Sequence, residues 1–227
     1  MNDSRDEPLR VLHQDDDLLA IDKPAWSVVH KTRGADDALI LIDAISEQLG
    51  FKPYPVHRLD RQTSGVMVFA KSSAAASRLG ADVRQTGIWR KRYLGLCRGV
   101  IDDGVEVDHP VKEGDKRRDA RSDFDPQEVL CDRYTFLRCV PHSGRRHQLR
   151  YHLRHINHPL VGDVRYGSGQ INRFIRENFG LSRMFLHAEW LRINHPTENR
   201  QIEFSAPLAD DLRAVLDKMR PYDGPVV

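Results

Sequence analysis

The stretch VHRLDRQTSG, Val56 to Gly65, sets Asp60 between Arg58 and Arg61 and just ahead of the apolar run Val66 to Ala70. A carboxylate beside fixed positive charge keeps a low pKa and stays ionised, as a nucleophile requires. A loop aspartate neutralised by its neighbours at a turn would have the same composition. Tyr93 in RKRYLGLCRG and Arg145 in HSGRRHQLR are candidate companions for Asp60, although spacing alone does not join them. Ser64 follows Thr63 without a Gly-x-Ser-x-Gly elbow and reads as a turn residue rather than a nucleophile.

A second constellation follows Gly144. A helix there, stepping 100° per residue, would gather Leu149, Leu153 and Ile156 on one face. His147, Arg150, Tyr151 and Arg154 would share the opposite face, a cationic and aromatic surface suited to phosphates and bases. Like charges crowded at Arg145, Arg146, Arg150 and Arg154 repel unless something anionic answers them. An ordinary core helix with a solvated outer face explains the apolar half equally well. His147, His152, His155 and His158 also fall close together. The stretch offers them arginines rather than acidic or cysteine co-ligands, and no His-Glu-x-x-His or Cys-x-x-Cys occurs, so no metal is expected. Gly-x-Gly-x-x-Gly and the P-loop pattern are missing too, and no nucleotide cofactor is expected.

The elements that must position these residues are mostly strands. Short apolar or alternating runs predict strands in RVLHQD, LLAID, VMVFAK, RYLGLCRG, RYTFLRCV, MFLHAEWLRI and RQIEFSAP, the last two forming a hairpin around NHPTEN. Helices are expected over Ala38 to Leu49, over Ser73 to Thr86, after Gly144, and after Pro207 with Leu208, Leu212, Leu216 and Met219 in step. Strands outnumber helices and seldom alternate with them. This favours an α+β domain around a mixed, mainly antiparallel sheet with flanking helices.

The bulk properties are compatible with this. A chain of 227 residues builds a real core without disulfides, and three cysteines without paired spacing point to a reducing cytoplasm. No run is long and apolar enough for a membrane span, and the polar start MNDSRDEPLR has no signal-peptide core. Net charge is only +2, with 35 basic and 33 acidic residues, but the distribution is uneven. RQTGIWRKRYLGLCRG, KRRDAR and SGRRHQLRYHLRH are basic, while HQDDD, GADD and PLADD are acidic, so a positive face for a polyanion is expected.

LLAIDKPAWSVVH, VHRLDRQTSGVMVFAKS, KRYLGLCRG, SGRRHQLRYHLRHINHPLVGD and MFLHAEWL occur in an order and approximate spacing that resembles the RluA-type pseudouridine synthases. The resemblance covers most of Leu18 to Leu191. It implies a mainly antiparallel sheet bisected by a catalytic cleft, catalysis without a cofactor, and RNA as partner. By the same resemblance Asp60 is the essential aspartate and Tyr93 the tyrosine that stacks on the target base and is implicated in removing the C5 proton. Arg145 pairs with the catalytic carboxylate, and Arg58 enters the RNA helix as the target nucleotide turns out. Two departures stand out: Asp22 lies where the family often has Asn before Lys-Pro, and Ala25-Trp26 replaces the usual Ser-Gly.

Only 56 residues precede His57, and RVLHQDDDLLAIDKPAW already belongs to the catalytic fold. One catalytic domain over residues 1–227, monomeric and without an N-terminal S4-type RNA-binding domain, is therefore expected. NRFIRENFG before LHA, together with VVHK and DHPV, is similar to the branch that modifies uridine 65 of tRNA. Arg173, Arg176 and Arg183 are expected to serve that contact with phosphates. The alternatives are a helix and loop there that merely support the sheet, with Phe174 and Phe179 in the core, and a 23S rRNA or dual substrate. A non-catalytic RNA-binding assembly factor, or an enzyme that removes the base hydrolytically, would use the same surface. An intact Asp60, Tyr93 and Arg145 set weighs against the binder.

Overall fold

The computed structural model describes residues 7–31 and 37–225; the polar start of the chain and most of the acidic GADD stretch lie outside the described residues. In chain order the elements begin with β1 (Arg10–Gln14), β2 (Leu18–Lys23), β3 (Ser27–Val28), β4 (Leu39–Ile40), α1 (Leu41–Leu49), β5 (Tyr54–Pro55), β6 (Ser64–Ala70) and α2 (Ser73–Arg84). They continue with β7 (Arg90–Arg98), β8 (Val105–Asp108), β9 (Val111–Glu113), β10 (Lys116–Arg118), β11 (Arg121–Leu130), β12 (Tyr134–Pro141), α3 (Gln148–His155) and α4 (Gly169–Phe179). The last three are β13 (Leu186–Asn194), β14 (Gln201–Ser205) and α5 (Asp210–Met219). Two compact units emerge: Met1–Arg90 with Ala188–Pro207, and Lys91–His187 with Leu208–Val227.

In the first unit β1 pairs with β2, β2 with β6, and β5 with β6, all antiparallel, and β13 and β14 form the expected hairpin. Every residue of β6 is buried, because neighbours cover both its edges and both its faces. Val66, Val68 and Ala70 point to a core that also holds Leu18, Ala20, Leu79, Trp89, Leu191 and Phe204. α2 is started by the Ser72 side chain, which accepts from the Ala75 N–H. α1 begins three residues later than its periodicity suggests. Leu39 and Ile40 instead pair in parallel with Ser27 and Val28, leaving Ile40 extended.

In the second unit β7, β12, β11 and β8 pair antiparallel in that order. Neither β8 nor β11 is among the expected strands, and neither are β9 and β10, which pair with each other. β11 carries Asp123, Asp125, Pro126 and Glu128, and its register shifts between Pro126 and Glu128, where a proline can sit in a ladder. The turn to β12 uses Cys131 and Asp132, both at positive φ, in place of the Asn-Gly that announces such hairpins. α4 is not among the four expected helices, but it is the helix given as the alternative to phosphate contact in that segment. Ile171, Ile175 and Phe179 recur on its inner side, and Gly180 at φ 83° ends it. It meets Leu212, Val215, Leu216 and Met219 of α5 in one core, so Phe179 is buried and Phe174 partly so.

Candidate active site

Asp60 sits half-buried in the loop between β5 and β6, and four residues, His57, Leu59, Lys23 and Trp26, hold that loop. The His57 imidazole accepts from the Val68 N–H at 2.9 Å and meets the Trp89 ring edge-on. Leu59 is buried beneath the loop. The fully buried ammonium of Lys23 donates to the carbonyls of Pro24 at 3.0 Å, Thr63 at 2.8 Å and Arg61 at 3.5 Å, and the Trp26 N–H donates to the Arg61 carbonyl at 2.7 Å. A charged group collecting backbone dipoles compensates its desolvation and fastens the β2–β3 turn to the Asp60 loop. Gly65 then opens β6 at φ 107°. A Cβ there would lie 2.2 Å from the Ala188 oxygen, so glycine alone lets the two backbones approach this closely. The outcome is a carboxylate on a short loop fixed at both ends, with Arg58 exposed beside it.

The other five expected site residues, Tyr93, Arg145, His147, Arg150 and Arg154, belong to the second unit. Tyr93 lies on β7 opposite Cys139 of β12, partly buried against a core of Leu137, Leu149, Leu153 and Leu186. Lys91, two residues earlier on the same face, escaped the sequence reading although the period of two places it beside Tyr93. Burial pulls its ammonium down to about 8. Arg145 sits half-buried just before α3, where its Nε donates to the Asp119 carbonyl at 3.4 Å.

Gln148 anchors the start of α3. Its carbonyl oxygen accepts from the Ser143 hydroxyl at 2.6 Å and the Arg145 N–H at 3.2 Å, while its amide donates to the Arg121 carbonyl and the Ser122 hydroxyl. His152 is buried with both ring nitrogens engaged: Nε2 donates to the His109 carbonyl at 2.8 Å and Nδ1 lies 2.9 Å from the Ser122 hydroxyl. Burial holds its pKa down. It is a structural histidine, identified by a network no spacing rule reveals.

The polar face of α3 differs in part from expectation. Arg154 is exposed and Tyr151 half-exposed. Arg150 instead turns to Asp163, to which Nε donates at 2.7 Å and Nη2 at 2.9 Å. Burial alone would raise the Asp163 pKa, but these bonds and the N–H groups of Tyr166 and Arg165 hold it below the usual carboxylate range. His147 stands outside the helix at φ 56°, with Nδ1 3.3 Å from the Tyr166 hydroxyl. Arg183, expected to meet phosphate, is buried in a two-pronged pair with Asp211 at 2.6 and 2.8 Å. Arg173 and Arg176 remain exposed on α4.

Among known families, the chain matches the RNA pseudouridylate synthases over residues 17–155, which takes in the Asp60 loop, Tyr93 and α3. The chain belongs to this family. Among its curated relatives in the pseudouridylate synthase family, tRNA pseudouridine synthase C of Haemophilus influenzae is 33% identical over 92% of this chain and 97% of that protein. The tRNA pseudouridine synthase C of Pasteurella multocida is 36% identical over 87% and 90%. In three dimensions, human RNA pseudouridylate synthase domain containing 4 superposes with a TM-score of 0.75 over 92% of each chain, at 22% identity. Human RNA pseudouridylate synthase domain containing 1 gives 0.71 over 99% of each, at 24% identity. The α+β pseudouridine synthase fold is thereby established.

Proposed function

We propose that this pseudouridine synthase isomerises a uridine of tRNA, uridine 65, working as a monomer in the cytoplasm. The observation that carries the reading is the series of relatives named tRNA pseudouridine synthase C, matched at about one residue in three over nearly their full lengths. Asp60 is the catalytic carboxylate in this reading. It attacks C1′, or takes the C2′ proton to give a glycal, as the N1–C1′ bond breaks. The uracil then turns and C5 bonds to C1′ as Asp60 leaves C1′ or, in the glycal route, returns the proton to C2′; the C5 proton is lost and N1 gains one, so atoms and charge balance. Tyr93 stacks on the base, Arg145 pairs with the carboxylate, and Arg58 fills the space left by the flipped nucleotide. Flipping costs roughly a few kcal/mol, which such contacts offset. His147, Arg150 and Arg154 were expected to hold RNA. Arg154 keeps that role, with Tyr151 beside it, whereas Arg150 serves by orienting the Asp163–Tyr166 segment.

Mapping pseudouridines in RNA from cells with and without the gene tests the substrate. Loss at position 65 of tRNA is the expected result. Loss confined to 23S rRNA rejects it.

A further inference from the structure

Trp26 is the residue the catalytic reading leaves unexplained. It holds φ at 64°, the left-handed region where glycine is unstrained and a bulky side chain is an outlier. Such a conformation persists only where the surroundings enforce it, and it gathers at functional sites. Here the enforcing contact is the Trp26 N–H to the Arg61 carbonyl at 2.7 Å, one residue beyond Asp60. The indole is not spent on the core: Trp26 is 38% exposed, one of few large apolar residues at the surface of the described residues. The Arg61 guanidinium lies 5.3 Å from its ring centroid and is steered by Asp37 at 2.7 Å. The Arg61 Nε is buried and finds no hydrogen-bond partner among the described residues. An exposed indole and a delocalised cation, both tied to the Asp60 loop, make a surface complementary to the face of an unstacked nucleobase.

We propose that Trp26 and Arg61 form a stacking platform for a nucleobase neighbouring the target uridine. The inference rests on the RNA-modifying reading of the Asp60 loop and adds a binding residue to it. Stacking tolerates any base, so the platform strengthens RNA binding without choosing sequence.

The test uses the purified full chain, an unmodified tRNA transcript and the variants Trp26→Gly and Trp26→Phe. Glycine relieves the backbone, so Trp26→Gly should melt no lower than the wild type while its KM for tRNA rises about tenfold and kcat stays within about twofold. Trp26→Phe keeps a ring and should retain most of the affinity. In the Asp60→Asn background, which is expected to hold RNA without converting it, tRNA should quench indole fluorescence, and adding Trp26→Phe should abolish the quench. An unchanged KM in a folded Trp26→Gly variant, or fluorescence that ignores RNA, overturns the platform. Should Trp26→Gly fail to fold, Trp26→Phe and the fluorescence titration decide. A wild type that makes no pseudouridine in tRNA contradicts the enzymatic reading instead, and the titration still shows whether Trp26 meets RNA.

Discussion

Arg150 and Arg154 lie four residues apart on one helix, yet their surroundings divide their work. The Arg150 side chain is 11% exposed and the carboxylate it grips is fully buried. Removing one partner of such a pair leaves the other charge buried and alone, which costs about 3 kcal/mol or more. Arg150→Ala should therefore lower the melting temperature sharply. Arg154→Ala should leave melting unchanged and weaken RNA binding, reducing the slope of log affinity against log salt by about 1. Denaturation curves and a salt titration of both variants check this. Asp163 adds a pH signature. Its folded pKa is lowered, so its contribution is complete above the unfolded value of about 3.9 and is lost as pH falls through the folded value. Asp163→Asn should be less stable than the wild type at neutral pH, with the gap closing in acid. The charge pattern of α3 was legible in sequence, but Asp163 and Asp211, the partners that withdraw Arg150 and Arg183 from RNA, lie 13 and 28 residues away.

At the scale of elements, the Asp60 loop depends on Lys23, a lysine with no exposed surface. Lys23→Met keeps the stem and removes the donor, leaving the Pro24 and Thr63 carbonyls unmatched. The expected loss is about 2 to 3 kcal/mol of stability, with activity falling further than RNA affinity because the carboxylate loses its fixed position. Urea denaturation beside a turnover assay measures both. The seven predicted strands and the β13–β14 hairpin were readable because apolar residues alternate there or, as in β2 and β6, run unbroken. β11 was hidden by its acids and Pro126, and its turn by Cys131, a residue seldom found at positive φ, in place of the Asn or Gly that marks such hairpins. α4 was readable from the same kind of pattern: Ile171, Ile175 and Phe179 repeat every four residues. Two residues of the predicted first helix form β4 because backbone pairing with Ser27 and Val28 outweighs helix propensity.

For the molecule as a whole, near neutrality conceals a division: basic residues are in excess in the unit that holds Tyr93, Arg145 and α3, while the unit that holds Asp60 is slightly acidic. In the proposed reading the carboxylate on its tethered loop and the cationic surface for the polyanion are separate parts of one design, and they should fail separately. The Asp60→Asn protein tests that claim most directly. Purified wild type and variant are given an unmodified tRNA transcript, and pseudouridine is mapped beside RNA mass and affinity. The wild type should place pseudouridine at position 65 with the RNA mass unchanged. Asp60→Asn should form none while binding the tRNA within about tenfold of the wild type, since the change removes a nucleophile and spares the basic surface. Pseudouridine formed by a homogeneous Asp60→Asn protein would contradict the account.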